Sequence, residues 1–191
     1  AIGFPLGSLF LVRNGGVDPA TGRRIVLNKA GQPVLYQFVV PAGQFQWTNP
    51  DGTQYKENGV AVGITQAKDG VMFGNTNPKI YGGFDNTFRY KNFDLNVLLT
   101  YQFGYFIYYG SNAGLHDMRF WNNHVDVLTA WSKPGDVSTV PRPVYGDNVS
   151  NGSGLPMSYN AFKGDFVKLK NVTLSYTFAQ SLLNKVKISS A

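Results

Sequence analysis

The run Phe93–Tyr109 constrains the fold of this chain more than any other feature, because its side chains alternate over almost its whole length. One set of alternate positions is apolar or aromatic throughout: Phe93, Leu95, Val97, Leu99, Tyr101, Phe103, Tyr105, Ile107 and Tyr109. A period of two predicts a β-strand with one apolar face. The run exceeds the roughly 3–10 residues of ordinary globular strands. It suits a tilted strand of a membrane barrel that extends beyond the bilayer.

Two neighbouring runs predict the strands that flank it. Ile80–Tyr90 precedes it and is joined to it by the short turn Lys91-Asn92, so the two should form a hairpin. Alternation resumes over Phe166–Phe178, where the even-numbered residues are mainly apolar. On this parity Lys168 and Lys170 fall on the apolar face, and we expect both to lie above the hydrocarbon, where a charge costs only about 0–1 kcal/mol.

If the apolar faces meet lipid, the opposite faces should line a wet lumen. Polar and charged side chains dominate those positions. The predicted lumen-facing residues are Asp85, Thr87, Arg89, Asp94, Asn96, Thr100, Gln102, Asn171, Thr173 and Ser175.

The chain divides into four segments by pattern. Residues 1–77 read as loop-rich hairpins, 78–109 as the strand hairpin, 110–165 as a long extracellular loop, and 166–191 as further strands. A loop as long as 110–165 is uncommon in a compact soluble domain, whereas long loops on one side are usual in outer-membrane barrels. Within it, Leu115–Trp131 predicts a short helix from spacings of three and four. At the end, Ser181–Asn184 should connect to a strand beginning at Lys185. That strand stops in mid-pattern, so we expect a piece of a longer protein.

Composition excludes several kinds of site. The chain has no cysteine, which removes disulfides and thiolate chemistry, and its net charge of +6 comes from scattered residues. We therefore expect no nucleic-acid partner. Acidic residues such as Asp18, Asp51, Asp136 and Asp147 lie in turns, where aspartate commonly accepts backbone N–H bonds. We expect no catalytic residues and no cofactor.

A few side chains leave alternatives open. His116 and His124 are conceivable zinc ligands, but the absence of a compact histidine pair favours hydrogen-bonded or solvated side chains. The oxygen-rich segment 147–154 suggests either a calcium loop or a flexible polar loop, with the second preferred. Four aromatic residues are predicted either to contact substrate or a lid at the barrel mouth or to pack the long loop against itself: Phe120, Trp121, Trp131 and Tyr145.

Several motifs, in order along nearly the whole chain, resemble the SusC/RagA-like TonB-dependent outer-membrane transporters. Residues 40–75 match no motif of that family. The matching segments are Gly15–Gly22 (GGVDPATG), Asn77–Phe84 (NPKIYGGF), Asn86–Phe88, Tyr90–Leu95 (YKNFDL), Trp131–Arg142 (WSKPGDVSTVPR) and Asp165–Tyr176 (DFVKLKNVTLSY).

The resemblance implies part of a large antiparallel transmembrane β-barrel that imports a large nutrient, a glycan or an oligopeptide, across the outer membrane of a Gram-negative bacterium. It implies as partners the remainder of the barrel and its plug, TonB acting through that plug, a SusD-like lipoprotein, and outer-membrane lipid. Composition alone also permits a soluble β-sandwich carbohydrate-binding module. That alternative needs a second apolar sheet, and the chain offers too few long strands for both sheets. A β-rich hydrolase is disfavoured because no acid–base pair emerges.

Overall fold

The computed structural model describes residues 3–119 and 122–185. Antiparallel strands dominate these residues, which confirms the all-β prediction. The strands are β1 (Ser8–Leu11), β2 (Arg13–Val17), β3 (Arg24–Leu27), β4 (Pro33–Tyr36), β5 (Trp47–Thr48), β6 (Lys56–Glu57), β7 (Val60–Ala61), β8 (Val71–Asn75), β9 (Ile80–Tyr90), β10 (Phe93–Phe103), β11 (Phe106–Tyr108), β12 (Ala161–Lys163) and β13 (Phe166–Tyr176). The helices are α1 (Gln66–Asp69), α2 (Gly110–Leu115) and α3 (Gln180–Lys185), with 3-10 turns at Val125–Thr129 and Ser158–Asn160.

The chain falls into two compact units. The first lies within residues 1–76 and 106–162, and the second within residues 77–105 and 163–191. The first unit therefore draws on two stretches of sequence that are separated by the β9–β10 hairpin.

A four-stranded antiparallel sheet, in the order β2-β3-β4-β5, organises the first unit. Its core combines residues distant in sequence: Val12, Val26, Val34, Tyr55, Ile64, Leu155 and Met157. Two backbone hydrogen bonds join these stretches, from Val12 N to Pro156 O (3.0 Å) and from Ser158 N to Val12 O (2.9 Å). The two stretches of the first unit thus share one apolar core.

Three long strands, in the order β13-β10-β9, make up the sheet of the second unit, which also contains α3. The hairpin turns at Lys91-Asn92 as predicted, and Lys91 has a φ of 53°. The alternating run ends earlier than predicted, because Gly104 at φ 78° terminates β10. The residues after it form the separate strand β11, which pairs with β12.

Two other local predictions differ from the structure. A short helix is predicted within Leu115–Trp131, but in the described part of that range α2 ends at Leu115 and the only helical element after it is a 3-10 turn at Val125–Thr129. The predicted connection Ser181–Asn184 lies inside α3. The strand predicted from Lys185 falls, beyond that residue, outside the described range. Among the described residues, the helices are too short or too polar to cross a bilayer.

Candidate functional site

The three-stranded sheet places all ten predicted lumen residues on one face. Residues directly opposite each other in antiparallel strands project to the same side. Asp94 lies opposite Arg89 and Ser175, and Asn96 lies opposite Thr87 and Thr173. Leu98 lies opposite Asp85 and Asn171, which brings those two predicted residues to the same face. Thr100 lies opposite Gly83, and Gln102 lies opposite Tyr81. That this face lines a lumen stays a prediction.

Short polar contacts order this face near the Lys91-Asn92 turn. Asn96 Nδ2 donates to Asp85 Oδ1 at 2.7 Å and to Thr87 Oγ1 at 3.1 Å. Arg89 Nε lies 2.9 Å from Asp94 Oδ1, but this ion pair is largely exposed and contributes little stability. The face is therefore a hydrogen-bonding surface with charges of both signs.

The opposite face of the same sheet is apolar and exposed. On the two outer strands, Phe84, Phe88 and Leu174 remain 54%, 57% and 67% exposed. The Tyr101 side chain lies over Gly82, the residue opposite it on β9. A Cβ added to Gly82 would lie only 2.6 Å from the Tyr101 hydroxyl. The members of this face are Ile80, Gly82, Phe84, Asn86, Phe88, Tyr90, Phe93, Leu95, Val97, Leu99, Tyr101, Phe103, Val167, Leu169, Val172, Leu174 and Tyr176.

A β-bulge corrects one prediction about β13. Leu98 pairs with Asn171, but the next residue, Leu99, pairs with Leu169, so Lys170 is the extra residue. An extra residue reverses the parity of the strand beyond it. Lys168 consequently lies opposite Thr100 on the polar face, and the prediction that it shares the apolar face is wrong. The same reversal brings Val167 and Leu169 onto the apolar face and Phe166 onto the polar one.

Trp131 has a packing role within the first unit. Its indole Nε1 donates to the carbonyl of Pro19 at 2.9 Å. Its ring covers Gly22, where an added Cβ would overlap the indole.

Gly135 N also donates to Pro19 O (2.8 Å), and Arg142 N donates to Gly22 O (2.9 Å). Two of the sequence motifs, Gly15–Gly22 and Trp131–Arg142, are thus docked on each other.

The other aromatic candidates differ in position. Tyr145 is 82% exposed, so its ring is available for contact. It lines a cavity of about 280 Å³ together with Arg119 and Val127. Phe120 and Trp121 lie outside the described residues.

The aspartates predicted to cap turns do so. Asp136 Oδ2 accepts from Ser132 N (3.1 Å), Ser132 Oγ (2.7 Å) and Lys133 N (3.0 Å). These hydrogen bonds lower the pKa of Asp136. Asp147 likewise accepts from Val149 N and Ser150 N (2.8 and 3.1 Å). Backbone N–H groups of the loop therefore already donate to the carboxylate of Asp147, the one acidic residue of the 147–154 segment. This supports the interpretation as a polar loop over that as a calcium site.

The two histidines meet at Asp126. His116 is buried, and its Nδ1 lies 2.7 Å from Asn112 O. Its Nε2 lies 2.9 Å from Asp126 Oδ1, but these two atoms are not aligned for a hydrogen bond. His124 Nδ1 is 2.7 Å from the same oxygen. Burial raises the pKa of Asp126, but the His124 hydrogen bond and the proximity of His116 outweigh it and lower that pKa. Within the described ranges, no cluster of three or more ligating side chains suits a metal.

Arg24 is an organising residue that the sequence interpretation missed. Its guanidinium is fully buried and donates to carbonyls of Ser150 (2.5 Å) and Thr139 (3.1 Å) and to Asn14 Oδ1 (3.1 Å). It also lies 4.6 Å from the centre of the Tyr159 ring. Burial lowers the pKa of Arg24 to about 10. The signal was available, because Arg24 shares the parity of buried Val26.

Comparison with known proteins gives a consistent result. TonB-dependent receptor P39 of Formosa agariphila is 32% identical over 126 residues, and TonB-dependent receptor P3 of the same organism is 29% identical over 129 residues. Each match covers 64% of this chain but only 12% of the relative, so the chain spans a small part of their length. No family model matches.

Solved structures agree on the fold. The RagAB peptide transporter aligns with 92% of this chain and 17% of its own, with a TM-score of 0.60 and 20% identity. The RagAB peptide importer in its closed-closed state gives a TM-score of 0.61 and 18% identity. The named similar proteins are TonB-dependent receptors and a peptide transporter. The resemblance read from the motifs is confirmed.

Proposed function

We propose, starting from the similarity of this chain to SusC/RagA-like TonB-dependent receptors, that it supplies barrel wall and extracellular loops to a transporter that imports a large nutrient across the outer membrane. The observation that carries the proposal is the two-faced sheet of β9, β10 and β13. One face is apolar along all three strands and exposed on the two outer ones, and the other carries the predicted lumen residues. Lipid accepts the first face at little cost, and an aqueous lumen suits the second.

The same similarity supports the remaining parts of the proposal. The rest of the barrel closes the sheet edges, as backbone groups in lipid require. The plug receives force from TonB, a SusD-like lipoprotein covers the outer mouth, and the cargo is a glycan or an oligopeptide. The segment 110–165 joins β10 to β13 at the strand ends opposite Lys91-Asn92, so we place it outside the cell and the short turn in the periplasm.

The alternative, a soluble sandwich module, does not explain why the sheet of β9, β10 and β13 has an apolar face. Large apolar patches on soluble proteins are normally covered by a partner surface. Val167 and Val172 on β13 are 63% and 54% exposed. In the proposed barrel, lipid covers these apolar side chains.

Spin labelling of the complete protein in bilayers tests the proposal. The 191 residues of this chain contain no cysteine, so single labels can be introduced at Val172→Cys and Thr173→Cys once any cysteine elsewhere in the complete protein has been replaced. The label at 172 should collide with dissolved oxygen and be shielded from a water-soluble nickel chelate, and the label at 173 should show the reverse. Equal chelate access at both positions, or the opposite pattern, would contradict the membrane-wall function. Val97→Cys and Asn96→Cys provide an independent matched pair on β10.

A further inference from the structure

An uncharged cleft lies in the part of the chain that matches no family motif. It has a volume of about 540 Å³, within the roughly 300–1,000 Å³ typical of small-ligand sites. The described residues that line it include no lysine, arginine, histidine, aspartate or glutamate. They are Val40, Gln44, Phe45, Gln46, Trp47, Gln54, Tyr55, Ala61, Val62 and Gly63.

The cleft wall is held in place by contacts behind it. Trp47 packs against Tyr36, with ring centres 4.6 Å apart. Gly63 lies so close to the indole that an added Cβ would be 2.8 Å from Trp47 Nε1. Tyr55 N donates to Trp47 O at 3.0 Å, and Val62 N donates to Tyr55 O at 3.4 Å. The aromatic wall is therefore fixed to the sheet before any ligand arrives.

Contacts also orient the amide of Gln44. Its Oε1 accepts from Arg23 Nη2 at 3.1 Å and from Gln37 Nε2 at 3.2 Å. An arginine has no acceptor, so the atom facing Arg23 must be the amide oxygen. The amide NH₂ of Gln44 is then the group that can donate to a ligand. Gln54 adds an amide that can donate and accept, and Gln46 adds a second amide, part of which is already hydrogen-bonded to Tyr36.

We infer that this cleft binds a neutral saccharide unit of the cargo. Amide groups can pair with vicinal hydroxyls, and the partly exposed rings of Phe45 and Trp47 offer apolar surface to the C–H face of a sugar. No ionised side chain lines the cleft, and the Arg23 guanidinium that contacts Gln44 is directed at that amide, so a charged group buried here would lack a direct ionic partner, which is costly. A zwitterionic peptide or an acidic oligosaccharide is therefore disfavoured. The inference names the cargo class of the proposed importer and rests on that function.

Calorimetry on the complete, detergent-purified protein tests this inference. The probes are α-1,4-linked and β-1,4-linked neutral hexose hexasaccharides, a galacturonic acid hexasaccharide and hexaalanine. At least one neutral hexasaccharide should bind, and both charged probes should bind at least tenfold more weakly. Gln54→Leu, which removes one amide at nearly constant size, should weaken the neutral saccharide about tenfold. Gln66→Leu removes a glutamine outside the cleft and should leave binding unchanged.

Three results would overturn the inference: no binding of either neutral hexasaccharide at 10 mM, tighter binding of a charged probe, or equal effects of Gln54→Leu and Gln66→Leu. Gln46→Leu gives a second variant if Gln54→Leu folds poorly. A negative binding result together with the expected spin-label pattern would reject the saccharide cleft and leave the import function standing. An inverted spin-label pattern would reject the function itself.

Discussion

Lys168 lies directly opposite Thr100 on the polar face of the sheet, although unbroken alternation along β13 would assign it to the apolar face. The extra residue Lys170 produces this reversal. As a result, the apolar face is continuous through Leu169 and Val167 and contains no lysine at position 168.

The bulge predicts that neighbouring substitutions have opposite effects. Leu169→Lys should prevent most of the protein from assembling, because a lysine on the lipid face costs about 2–4 kcal/mol near the bilayer midplane and less towards the rim. Lys168→Leu should be tolerated, since it removes a charge from the opposite face. The folded fraction can be measured by the mobility of unheated protein on a gel. If Lys168→Leu were the damaging change, β13 would not carry the bulge.

A second pair of substitutions tests the parity of β10. Val97→Arg should block assembly, because Val97 lies on the apolar face between Asn86 and Val172. Thr100→Arg should be accepted or should alter only uptake. Protein level in the outer membrane and uptake of the cargo are the two measurements. Failure of Thr100→Arg with normal assembly of Val97→Arg would mean that the faces are reversed.

Gly22→Ala should destabilise the first unit through a collision with Trp131. Gly22 has a φ of 68°, so alanine there carries a backbone penalty of about 1–2 kcal/mol in addition to overlap with the indole. Gly16→Ala is the matched control, because Gly16 also has a positive φ of 97° but nothing within 4 Å of an added Cβ. The free energy of unfolding should fall by about 1–3 kcal/mol more for Gly22→Ala. Equal losses would show that only the backbone conformation matters.

Acid should loosen the contact between Asp117 and its partners. Burial raises the pKa of Asp117, but hydrogen bonds from Arg119 (2.7 and 2.8 Å) and Ser153 outweigh it and lower that pKa. A folded-state pKa below the unfolded value of about 3.9 means that the stabilisation is present at neutral pH. It is lost as pH falls from about 5 towards 2.

Hydrogen exchange in peptides that cover Asp117 and Ser153 measures this effect once the intrinsic pH dependence is subtracted. Protection should fall with acidification in the wild type. In Asp117→Asn it should be low at every pH and nearly constant. A wild type with unchanged protection at pH 3 would show that this carboxylate does not hold the segment.

The long strands were predictable because their pattern is repetitive. Each of β9, β10 and β13 repeats the same polar–apolar step, and the turn residues Lys91-Asn92 mark the hairpin. The bulge leaves good alternation on both sides of it and shows only as a change of parity, from apolar Val167 and Leu169 at odd positions to apolar Val172 and Leu174 at even positions. Two lysines on an apolar parity were the available warning.

The contacts of the long loop were harder to infer because they are not local. Spacings over Leu115–Trp131 fitted a helix, but in the structure His116 and His124 are instead fixed by Asp126. Periodicity carries no information about which distant backbone group a side chain meets. Arg24 is the clearest case, because its carbonyl partners Thr139 and Ser150 are more than a hundred residues away.

The Pro19 carbonyl accepts hydrogen bonds from Trp131 Nε1 and Gly135 N. The contact with Trp131 closes a loop of chain whose ends are 112 positions apart. Closing such a loop costs on the order of 4 kcal/mol of chain entropy, which must be met before this contact contributes. Contacts of this range form late in folding. The docking of these two turns should therefore determine how long the folded protein survives more than how quickly it forms, and damage at Gly22 should appear mainly as faster unfolding.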